Sequence, residues 1–178
     1  MKKSIRIAFG GIITALSVLI MFVSGVIPAT EYAFPLFAGV LLIPVAEEIG
    51  SKWAWMVFAT VSVLSLILVP KPDPTVTYIT LLGYYPLIKG KIERINKKWI
   101  AYIIKFLLFN VATAASMLLL AFVFSVPMDD LNAYGKYTIV IFLAIANFFF
   151  IVYDICLNKV AYMYLNMFSK HLSKYLKS

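Results

Sequence analysis

Two of the chain's eight acidic residues, Glu47 and Glu48, stand side by side between apolar runs in LLIPVAEEIGSKWAWMVF at positions 41–58. Paired carboxylates in an apolar setting can activate water, provided a metal ion or a general base stands beside the bond to be cut. The other residue types such chemistry needs are scarce. The one histidine, His171, lies in the polar C-terminal stretch, and the one cysteine, Cys156, can form neither an internal disulfide nor a CxxC metal site. Cys156 reads as a small, buried apolar residue near a helix end. No phosphate-cradling or dinucleotide-binding glycine pattern is present, so the sequence predicts no enzyme, no metal and no cofactor, and energy for any transport would come from a partner or a gradient.

The segment EEIGSK resembles the EExxxR pattern of the glutamate-type CAAX prenyl endopeptidases, but Lys52 stands at the arginine position and no membrane helix supplies the histidines those enzymes use. A lysine lacks the planar fork of arginine. The alternative is that Glu47 and Glu48 mark a turn at a membrane surface, with at least one in water. The other would then pair with Lys52, Lys89 or Lys91, because a charge at bilayer depth needs a partner.

The elements that position these residues follow from composition. At 63% hydrophobic, 16% aromatic and 13% charged, the chain is far more apolar than a soluble domain. It is read as a single all-α integral membrane domain, a six-transmembrane-helix bundle. Apolar runs predict helices at 7–27, 34–50, 53–69, 76–89, 99–126 and 137–157, followed by a basic amphipathic tail at 158–178. The first run is too long for a signal-peptide core. The alternating prolines of PKPDP end the third.

Charge gives the orientation. With the N-terminus in the cytoplasm, the inner segments collect 14 of the 16 basic residues, and only Lys71 and Lys136 remain outside. That bias predicts both termini cytoplasmic and makes anionic lipid headgroups, not nucleic acid, the partner of the +8 net charge.

Within the spans, Ala8, Gly11 and Ala15 share one side of the first helix, where small residues let a second helix approach closely. Packing inside the chain and docking of a partner both fit that pattern. The predicted outer loops carry Glu31 and Tyr32, then Asp73 and Tyr78, then Asp129, Asp130, Asn132 and Tyr134. Asn110 and Asn147 fall inside the fifth and sixth helices. Buried amides need partners, so they either bond to each other and lock the bundle or floor a cavity open to the outside, walled by Tyr78, Tyr84 and Tyr85 with a lid from the Glu31 loop.

The chain resembles the substrate-binding S components of energy-coupling factor (ECF) vitamin transporters in its length, its six helices, its cytoplasmic termini and its opening RIAFGGIITALS. The resemblance implies uptake of a vitamin-like small molecule from the outer side. Ala8, Gly11 and Ala15 would dock a transmembrane coupling subunit, ATPase subunits would supply energy, and Glu31, Tyr32, Tyr78, Asn110 and Asn147 would contact substrate. The acidic outer residues favour a neutral or cationic ligand. Two alternatives stand beside this. One is a non-transporting membrane adaptor or assembly protein, which requires Asn110 packed against Asn147 with no ligand. The other is a stand-alone proton-coupled carrier, for which only Asp154 and Lys105 approach mid-depth, both toward inner helix ends.

Overall fold

The computed structural model describes residues 3–27, 30–124 and 138–168. The described residues are helical: α1 (Lys3–Val26), α2 (Ala33–Val40), α3 (Leu42–Glu48), α4 (Ser51–Leu68), α5 (Pro72–Thr77), α6 (Tyr85–Glu93), α7 (Lys98–Phe122) and α8 (Thr138–Met163), with π-helical turns at Tyr78–Leu82 and Tyr164–Phe168. Among the described residues, four helices are long and apolar enough to cross a membrane: Lys3–Val26, Ser51–Leu68, Lys98–Phe122 and Leu143–Asn166.

The second and fourth apolar runs differ from the continuous helices expected of them. Run 34–50 breaks at Leu41 into α2 and α3. Pro44 has no N–H to return to Val40, and its ring crowds that carbonyl, so the helix cannot continue unbroken through this turn. Run 76–89 breaks twice. The Tyr78–Leu82 turn carries one extra residue, with the Gly83 amide donating back to the Tyr78 carbonyl at 2.8 Å, and α6 restarts at Tyr85 with Pro86 in its first turn. The two interrupted segments meet beside their breaks. A Cβ on Gly39 would sit 2.2 Å from the Leu82 carbonyl oxygen, so glycine permits the crossing.

Helical periodicity sorts the long helices into buried and outward stripes. On α1 the buried stripe is Gly10, Ile13, Ser17, Met21 and Ser24, which packs on Ala54, Val57 and Val61 of α4. Gly10, Ser17, Ser24 and Ala54 are small, which lets the two helices approach closely where packing and not water exclusion drives association in lipid. A second core joins α6, α7 and α8 through Tyr85, Phe109, Phe150, Tyr153 and Leu157. Phe109 stacks on Phe150 with ring centres 4.4 Å apart. The opposite faces are large and apolar: Ile67, Leu107, Phe122 and Phe149 are all more than 60% exposed, which suits side chains that face lipid tails.

The other boundaries shift as well. α7 ends at Phe122, with a turn at Val123. α8 runs past the expected end at 157, so residues 158–163, assigned to the tail, continue the spanning helix. His171, the acidic loop at 129–134 and the basic tail from 169 onward lie outside the described residues.

Candidate functional site

The first corrections concern the acidic pair. Glu47 is exposed, whereas Glu48 accepts a hydrogen bond from the Tyr164 hydroxyl at 3.0 Å. Among the described residues, no ion pair joins Glu48 to Lys52, Lys89 or Lys91. Lys52 is exposed at the start of α4, and Lys89 is committed elsewhere. Cys156 also departs from expectation, because it is exposed on α8.

Lys89 belongs to a charge network between α6, α7 and α8 that the sequence reading did not assemble. Asp154 lies at its centre. Its Oδ1 accepts the Tyr85 hydroxyl at 2.6 Å and the Lys89 ammonium at 2.5 Å. Its Oδ2 accepts Lys105 at 2.9 Å, and Lys89 also donates to the Asp154 backbone carbonyl. Lys105 continues to Glu93 Oε1 at 2.7 Å, with Lys89 3.6 Å from the same oxygen. Lys89 and Lys105 are 5% and 4% exposed. Two cations and two carboxylates balance, as burial requires, since an unpaired charge at this depth would be far more costly than the pairing.

The signal for this network was periodic. Lys105 is in step with Ala101, Phe109 and Ala112 on the buried stripe of α7, and Asp154 is in step with Phe150 and Leu157 on α8. A charge on the buried stripe of an apolar helix must meet its opposite, and Lys105 and Asp154 are such a pair.

The five predicted substrate-contact residues separate into three places. Asn110 and Asn147 face each other with reciprocal amide bonds, each 3.1 Å. Each amide also donates to its own helix, to the carbonyls of Phe106 and Leu143 respectively. Tyr78 is fully buried against Phe58, its hydroxyl without a hydrogen-bond partner among the described residues. Glu31 forms an ion pair with Lys71 at 2.6 Å, tying the loop before α2 to the loop before α5, and Tyr32 beside it is 61% exposed. The Lys71 ammonium is raised above its ordinary pKa, chiefly by its hydrogen bond to Glu31. The cation's contribution to this tie is therefore complete at neutral pH and is lost only as pH climbs through that raised value. Of the other expected wall residues, Tyr84 stacks beside Trp55 and Tyr85 packs on Phe150 and Tyr153. An open apolar groove of about 520 Å³ runs between the Tyr78–Leu82 turn and α7, past Thr80, Tyr84, Leu108 and Ala112.

The reciprocal amide pair gives a measurable coupling. Asn110→Ala and Asn147→Ala each lower stability by about 1 kcal/mol, and the double variant costs less than their sum because either single change strands the other amide. Thermal unfolding of the four proteins in detergent checks this, and strict additivity would contradict a direct bond.

Ala8, Gly11 and Ala15 lie on the exposed side of α1. A Cβ on Gly11 would have no neighbour within 4 Å, in contrast to Gly10, which faces Val57. Among the described residues, this face serves no packing within the chain.

Together these features define a multi-pass helical membrane protein, with four long apolar spans and a polar network buried among its helices. No protein-family model matches the chain, and neither a curated protein nor a solved structure matches it either.

Proposed function

We propose that this protein is the substrate-binding membrane subunit of an ECF-type uptake system, taking a vitamin-like small molecule and working with a transmembrane coupling subunit and ATP-hydrolysing subunits. The observation that carries the reading is the division of α1. Gly10, Ile13, Ser17 and Met21 hold the helix to its own bundle, while the small residues Ala8, Gly11 and Ala15 face outward and leave room for another helix against the backbone.

The interrupted segments support a transport role. Short, broken helices at bilayer depth are tolerated where protein covers them, and in transporters such breaks border the substrate path. In this reading α2 with α3, and α5 through α6, complete six crossings and leave both termini cytoplasmic. The first segment, residues 33–48, would reach only about 24 Å at about 1.5 Å per residue, so it crosses with its ends covered by its neighbours. A non-transporting adaptor is the second reading, and the closed Asn110–Asn147 pair favours it, because two amides that satisfy each other offer nothing to a ligand.

Gly11→Leu tests the docking face. It fills open space, so thermal stability stays within about 0.5 kcal/mol of the parent, while co-purification of coupling subunits from a co-expressing host falls at least about tenfold, as central interface positions do. Intact co-purification would remove the docking assignment. Native mass spectrometry against a vitamin panel separates the two readings: a stoichiometric ligand identifies the transport subunit, and a bundle empty of every panel member identifies the adaptor.

A further inference from the structure

The network around Asp154 is asymmetric. Asp154 is enclosed, with 13% of its side chain accessible, whereas Glu93 is 38% accessible and holds its place through Lys105 at 2.7 Å and a long 3.6 Å approach to Lys89. Glu93 is also the last residue of α6, where the unsatisfied carbonyls of the helix end oppose a carboxylate. Swinging it into water leaves two buried ammonium groups sharing one aspartate, a site with one uncompensated positive charge. The rim is basic: Lys91, Arg94, Lys97 and Lys98 are all exposed around the α6–α7 turn, with Trp99 84% exposed beside them. A tryptophan flanked by cations is the residue set found at the headgroup level of a bilayer.

We propose that Lys89 and Lys105 form a binding site for a phosphate-bearing anion, and that the Glu93 carboxylate occupies it until that anion displaces it. Lys105 then exchanges one carboxylate oxygen for a phosphate oxygen, and charge balance in the network is kept. The anion reaches the site across the basic rim, from a phospholipid headgroup or as free phosphate. The assignment does not depend on the transport reading.

The test uses the full-length protein in detergent. One arm measures retention of phosphatidylglycerol against phosphatidylcholine by native mass spectrometry, and the other measures stabilisation by inorganic phosphate in thermal unfolding. Glu93→Gln removes the competing carboxylate and should tighten phosphate binding about tenfold in one arm, about 1.4 kcal/mol. Tightening in the lipid arm alone identifies a headgroup site, and tightening with inorganic phosphate identifies a soluble anion. Glu47→Gln makes the same charge change at an exposed carboxylate outside the network and should alter neither arm. Should Glu93→Gln fail to fold, Glu93→Asp keeps the charge but shortens the reach to Lys105, and should tighten binding in the same direction. No tightening in either arm, or equal tightening by Glu47→Gln, overturns the proposal.

Discussion

Asp154→Leu destabilises the detergent-solubilised protein by about 3–5 kcal/mol, the scale seen when one partner of a buried ion pair is removed. The loss arises less from the missing attraction than from what remains. Lys89 would keep only the Asp154 backbone carbonyl and the distant Glu93, and the Tyr85 hydroxyl would lose its acceptor. The double variant Asp154→Leu/Lys89→Met removes one cation with the anion, leaves Lys105 its bond to Glu93, and should recover at least half of the loss. Thermal unfolding of the parent and both variants measures this. If the single change costs under about 1 kcal/mol, the network is solvated and not buried.

Gly39→Ala has the second large effect, and two terms of opposite sign compete. Within a helix, alanine is favoured over glycine by about 1 kcal/mol. At Gly39, however, the new methyl would lie 2.2 Å from the Leu82 carbonyl oxygen and 3.0 Å from its carbonyl carbon. Those atoms are backbone and cannot rotate aside, and Tyr153 also holds the same oxygen with its hydroxyl at 3.2 Å. The clash wins, for a net loss of about 3 kcal/mol. Gly11→Ala, on open helix surface, should be neutral or slightly stabilising in the same assay. An equal response at both positions would mean that the interrupted segments do not cross as described.

Both effects depend on features that the sequence shows unevenly. The four long spans were legible because each is a long, predominantly apolar run, and in lipid such a run has little alternative to a helix. The breaks at Leu41 and Gly83 were less legible. Pro44, Gly83 and Pro86 are plain in the sequence, but a proline or glycine in an apolar run can kink, end or merely tolerate a helix, and only its neighbours decide which. The outward face of Ala8, Gly11 and Ala15 could not be read at all from spacing, since Gly10 and Ser17 on the same helix are also small and are the ones turned inward.

The polar residues divide in the same way. Asn110 and Asn147 were recognisable as amides needing partners, because burying an unpaired amide is costly wherever the helix lies. That they satisfy each other depends on the register between α7 and α8, which no local pattern encodes. Lys89, Lys105 and Asp154 looked like charges belonging to helix ends, a fair reading from linear distance to the flanking basic residues. Composition and apolar run length by themselves determined that this chain is a helical membrane protein, because transfer of backbone and side chains into lipid is set residue by residue. Tertiary structure alone decided which polar groups meet, because pairing energy depends on distances between helices that are remote in sequence.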